Sequence, residues 1–138
     1  MTTARKNIDA LPYSLHDMSV TGFTAAGDTL SMSFEHGFVR IGAPCVQVEG
    51  NIEFTGVDWD FCCAYILDIC ANEGRFTGCK LSFADFMASF IDARFEIADE
   101  TYGYNRSRFT GYLSAGGSLK ECVLELYHSG DMVYITNE

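Results

Sequence analysis

Apolar and polar residues alternate along most of this chain with a period of two. The alternation is cleanest over 29–35, where Leu30, Met32 and Phe34 fall on one side and Thr29, Ser31, Ser33 and Glu35 on the other. A half-buried antiparallel strand reads this way. Residues 46–54 repeat the pattern: Val46, Val48, Ile52 and Phe54 face in, and Gly50 falls on the same side. A glycine there calls for a bulge or a closely approaching backbone. Further strands are predicted over 15–23, 38–41, 75–81, 93–98, 108–113, 119–128 and 132–136. Gly27-Asp28, His36-Gly37 and Ala115-Gly116-Gly117 supply turns, and Ser129-Gly130 reads as a tight hairpin. The polar, aromatic stretch 99–106 reads as a strand end followed by a loop.

Two stretches break the alternation. Residues 59–70, from Trp59 to Cys70, are largely apolar on both faces, which predicts a strand buried on two sides at the centre of the sheet. Asp68 interrupts that run and needs a partner; Arg75 or Lys80 on the returning strand is the expected one. In the second stretch the period itself changes. Phe83, Phe86, Met87 and Phe90 are spaced i, i+3, i+4 and i+7, behind Ser82 as N-cap and with Asp85 at the capping-box position. This predicts one short helix near 83–91. The sum is a mainly β, α+β fold: a twisted antiparallel sheet of about nine or ten strands, folded as a sandwich or an incomplete barrel, with the helix packed on it. Residues 1–138 make a single domain, of which 1–12, polar and containing Pro12, form a loosely ordered leader.

Composition narrows the function classes. A chain of 138 residues that is 48% hydrophobic buries enough surface to fold without disulfides or a structural metal. No apolar run reaches membrane-spanning length, and the first residues lack the apolar core of a signal peptide. A cytoplasmic location is the expectation, with no membrane association. Nineteen acidic residues against nine basic give a net charge of −10, which disfavours nucleic acid and favours a basic partner. The six cysteines include no CxxC pair. Cys62, Cys63, Cys70, Cys79 and Cys122 lie in apolar segments and read as buried free thiols, whereas Cys45, beside Pro44, reads as exposed.

Candidate chemistry is sparse. His16 and Asp17 are adjacent, so on a strand they point to opposite faces and form no relay. A cysteine can be paired with His128 as nucleophile and base on paper, but nothing in the sequence brings the two together. Asp58 and Asp60 flank Trp59, and two carboxylates on one side of a strand could serve a metal or acid–base chemistry; the solvated mouth of the central strand is the plainer account of them. No catalytic residue, metal site or cofactor is therefore assigned. The strongest pointer to binding is Tyr102, Tyr104, Arg106 and Arg108, spaced by two so as to line one face, and of the residue types enriched at interface hot spots. Trp59, Asp58 and Asp60 join them as candidate binding residues.

Leu15-His16-Asp17-Met18-Ser19-Val20, followed by the alternating run after Gly27-Asp28, resembles the start of small uncharacterised bacterial β-rich families, some thought to be immunity proteins of toxin systems. The resemblance covers 15–34, assigns no catalytic residue and implies a bacterial binding protein. The expected function is thus a non-catalytic acidic protein-interaction module. The alternative is a lipocalin-like carrier of a small ligand, although the inward positions are filled by large side chains. An unpaired sheet edge would also offer a route to a homodimer.

Overall fold

The computed structural model describes residues 1–69, 73–75 and 77–138. Among the described residues, thirteen strands and one helix follow in order: β1 (Thr2–Ala4), β2 (Tyr13–Ser14), β3 (Ser19–Ala26), β4 (Thr29–Phe34), β5 (Phe38–Arg40), β6 (Val46–Val48), β7 (Gly50–Phe54), β8 (Cys63–Leu67), β9 (Gly78–Ser82), α1 (Phe83–Ser89), β10 (Arg94–Gly103), β11 (Arg106–Ala115), β12 (Ser118–Tyr127) and β13 (Met132–Thr136). Ten of the strands form one antiparallel sheet in the order β1-β13-β7-β4-β3-β10-β11-β12-β8-β9; β2, β5 and β6 form a second, smaller sheet. The mainly β class, the twisted antiparallel sheet and the single short helix match the reading of the sequence, and the sheet does not close into a barrel.

The large sheet folds over on itself. β12 and β13 are consecutive in the chain but lie far apart in strand order, and only residues 128–131 join them. So short a connection requires the two halves of the sheet to face each other. Phe54 of β7 meets Phe109 of β11 at 6.1 Å between ring centroids and His128 at 5.1 Å, across the space between the halves. Ser129-Gly130 is therefore a crossing between layers, not the hairpin its composition suggests. Leu30, Met32, Ile52, Ile97, Leu124 and Leu126 are also fully buried between the layers.

Each opening of this sandwich is plugged by aromatics. Tyr13, Phe38 and Tyr134 pack at 4.8–5.7 Å where the small sheet covers one side. On the other, α1 brings Phe83, Phe86 and Phe90 onto Phe23 of β3 and also touches β8 and β9. The helix follows its sequence signals: the Ser82 side chain accepts from the Asp85 amide, and Phe83 and Phe86 are the buried face.

Several local expectations are corrected. The predicted central strand is shortened to Cys63–Leu67 and lies next to the sheet edge; Trp59, Asp60 and Phe61 precede it in a turn, and Cys70 lies outside the described residues. Only Cys63 and Ala64 of this strand are buried, where α1 packs against it; Tyr65, Ile66 and Leu67 are half-buried. Asp68 pairs with Lys120 and Thr77 rather than Arg75 or Lys80. The opening residues are not all loose: Thr2–Ala4 pairs with β13 as an edge strand. The strand predicted over 46–54 divides between the two sheets at Glu49, and Gly50 has the close neighbour expected of it, since a Cβ there would stand 2.5 Å from the Ile135 carbonyl oxygen. His16 and Asp17 lie in a turn, Asp17 with φ of 64°, so their side chains approach to 3.4 Å instead of diverging. Cys79 is exposed like Cys45, while Cys62, Cys63 and Cys122 are buried as read.

Candidate functional site

The residues proposed for binding separate into three places. Tyr104 and Asn105 form the two-residue turn between β10 and β11, and Tyr104 is 95% exposed at its tip. That turn length pairs Tyr102 with Ser107, so Tyr102 shares the inner face with Ser107 and Phe109. Arg106 and Arg108 point to the outer face, where both approach Glu125 Oε1, at 3.5 and 3.6 Å. The four do not line one face: a two-residue reversal exchanges the parity that uniform spacing of two assumes. Tyr102 is instead part of a buried polar group. Its hydroxyl donates to Glu100 Oε1 at 2.7 Å, and its ring lies 4.2 Å beneath the Arg5 guanidinium. Burial, and after it the Glu100 charge, pushes the Tyr102 phenol far above its ordinary range.

Asp58, Trp59 and Asp60 stay together. Residues 57–61 are held from both sides: the Val57 amide donates to Asp28 O and the Asp58 amide to Tyr127 O, each at 2.9 Å. Trp59 Nε1–H donates to Gly27 O at 2.9 Å, and its ring tilts against Phe83. The chain then turns through Phe61 N–H to Asp58 O at 3.1 Å. This fastening lines Asp28, Asp58 and Asp60 along an open cleft of about 660 Å³, with Trp59, Phe61 and Tyr127 as its aromatic wall. A second cleft of about 780 Å³ opens on the far side of the same turn, toward Lys80, Met87 and Glu125. Phe61 borders both; it packs 6.2 Å from Tyr127 and is still 64% exposed. Phe61, Asp28 and Tyr127 were missed in the sequence. By sequence pattern alone Phe61 belongs to a buried strand and Asp28 to a turn. The signal available was the acidic spacing 58 and 60 immediately before an aromatic residue, in a stretch already bounded by a turn.

His128 reaches the edge of this cleft but is engaged within the core. Its Nδ1–H donates to Gly130 O at 2.9 Å, leaving Nε2 to accept from the Ser107 hydroxyl at 2.8 Å. Burial lowers the imidazole below its ordinary pKa, so it is held neutral. The histidine's partner is thus a serine, not the cysteine drawn on paper, and that serine is fully buried. The pair ties β11 to the crossing after β12. Among the described residues, no three His, Cys, Asp or Glu side chains stand together as a metal-ligand set, and no helix is long and apolar enough to cross a membrane. Compared with models of protein families, with curated proteins and with solved structures, the chain matches none.

Proposed function

We propose that this protein is a non-catalytic interaction module that docks a basic partner protein on the cleft built around residues 58–61, acting in the cytoplasm. The observation that carries the reading is Phe61: a large aromatic, 64% exposed, held between two clefts and next to Asp58 and Asp60. An aromatic side chain kept at the surface on a pinned turn costs little entropy to bind with, and desolvated aromatic anchors dominate interface energetics. The net charge of −10 would steer a basic partner toward the three aspartates and raise its association rate. The resemblance of residues 15–34 to immunity-protein families suggests a bacterial toxin as that partner. The carrier alternative asks for an interior cavity, whereas the space between the layers is filled by Phe54, Phe109, Leu124 and Tyr134.

Trp59, the single tryptophan, lies in the cleft and reports its occupancy. Titration with a peptide of repeated Arg-Gly pairs should shift Trp59 emission. Phe61→Ala should weaken that binding by about 2 kcal/mol or more without moving the thermal midpoint. Asp58→Asn with Asp60→Asn should flatten the salt dependence. Unchanged emission, or equal binding by wild type and Phe61→Ala, would refute the reading.

A further inference from the structure

The opening strand is held in an unusual way for an acidic protein. β1 is three residues long and pairs only with β13, at the edge of the large sheet. Immediately after it, the Arg5 amide donates to Met132 O at 2.9 Å, and the Arg5 side chain turns down into a slot. There its guanidinium lies 4.2 Å from the Tyr102 ring centroid and donates to Ser107 Oγ at 3.1 Å, with Met132 Sδ at 3.5 Å. Among the described residues no carboxylate comes within ion-pair distance of it. The slot nonetheless suits a guanidinium: a flat cation covers the ring, one N–H reaches a hydroxyl, and the Tyr102 hydroxyl donates to the Glu100 carboxylate, which enriches the ring that faces the cation. Ser107 can accept because its own hydrogen is committed to His128.

The tether is also permissive. Residues 5–12 contain no helix or strand, and 6–10 are exposed. Residues 2–5 therefore show, in place, what this edge recognises: an extended segment that adds a strand to β13 and drops an arginine between Tyr102 and Ser107.

We propose that the β13 edge with its Tyr102–Ser107 slot is a receptor for an extended, arginine-bearing segment of the basic partner, and that the chain's own residues 2–5 occupy it as a built-in competitor. This rests on the reading that the partner is basic, but it uses a surface separate from Phe61. Charge complementarity favours the partner: the incoming segment is cationic and the chain carries −10. Arginine is required rather than charge alone, because lysine cannot both cover a ring and present a fork of donors.

The test uses the full chain and a fluorescein-labelled peptide Met-Thr-Thr-Ala-Arg-Lys supplied in trans. Fluorescence anisotropy should show the peptide binding to the Arg5→Ala protein at least tenfold tighter than to wild type, whose slot is filled. A peptide with lysine in place of its arginine should bind at least tenfold more weakly. On wild type, saturating peptide should speed amide exchange of residues 2–4 while residues 132–136 keep their protection, a measurement that does not depend on the variant folding. Trp59 emission should stay unchanged and Phe61→Ala should bind the peptide normally, so this outcome is separable from that of the cleft. Equal binding of the arginine and lysine peptides, absence of binding to either protein, or a stable wild-type dimer with β1 exchanged between two copies would each overturn the proposal.

Discussion

Replacing Phe86 by alanine tests whether α1 is a structural plug. The side chain is 1% exposed and is surrounded by Phe23, Phe83 and Phe90 at 5.4, 5.5 and 5.6 Å between centroids. Removing a buried phenylalanine costs about 3–5 kcal/mol, from lost transfer energy and from the cavity left behind. Lost ring pairs contribute about 0.5–1.5 kcal/mol each within that range, not in addition to it. Phe90 and Met87 are only partly buried and can lean into the space, which places the expected loss near the lower end, about 3 kcal/mol. That is a fifth to more than half of the roughly 5–15 kcal/mol that holds a typical domain folded. Urea unfolding followed by Trp59 emission is the natural assay, because the indole packs 6.3 Å from Phe83 in the same cluster. Ile91→Ala is the control: that residue is 72% exposed and its loss should stay within about 0.5 kcal/mol. A Phe86→Ala midpoint within about 1 kcal/mol of wild type, at unchanged slope, would mean that the helix does not close the sandwich and that the packing argument fails.

Other outcomes follow from the same structure. Ser82→Ala should cost about 1 kcal/mol in the same melt, since it removes the oxygen that accepts from the Asp85 amide. His128 is held below its ordinary pKa of 6.5, so the unfolded chain takes up the proton first. Stability should therefore be complete above pH 6.5 and fall as pH drops below it, and His128→Gln should flatten that slope in melts between pH 5 and pH 7.5. Glu100, raised by burial, acts in the opposite sense just above 4.5, where the folded state binds the extra proton. In thiol labelling followed by mass spectrometry, Cys45 and Cys79 should react before Cys62, Cys63 and Cys122, the last having its pKa pushed up to about 12 by burial; early modification of Cys122 would contradict the packing between the layers.

How much of this was legible in the chain depends on which residues carry a purely local signal. The alternation at Leu30, Met32 and Phe34 and the capped Phe83–Phe86–Met87 stripe involve neighbours within one element, and both are found as read. Ser129-Gly130 is different. A tight turn and a short crossing between layers demand the same small residues, and only the destination of β13, beside β7 and β1, tells them apart. Tyr102 and Tyr104 fail for a related reason: their faces depend on where the reversal begins, and one residue of loop length decides between core and solvent. Asp58, Trp59 and Asp60 line the cleft together, as adjacent positions in the sequence. Phe61 was not legible there, because an aromatic residue beside a hydrophobic run looks buried until the turn that lifts it out is known. Arg5 carried no sequence signal, since its partners Tyr102, Ser107 and Met132 are about a hundred or more positions away.

The pairing of β1 with β13 has a mechanical consequence. Thr2 lies opposite Ile135, Ala4 lies opposite Val133, and the Met1 amine donates to Thr136 O at 2.6 Å. A load applied between Met1 and Glu138 therefore enters the ladder at one end. It first strains the contacts of the Glu138 carboxylate with the Tyr13 hydroxyl and Arg40, then opens the strand pair rung by rung, like a zipper, instead of shearing all rungs together. Arg5 is the stop at the end of that zipper. Pulled from these points, the β1–β13 pair should yield in small successive steps until the guanidinium leaves Tyr102, while β13 stays held on its other side by its ladder with β7.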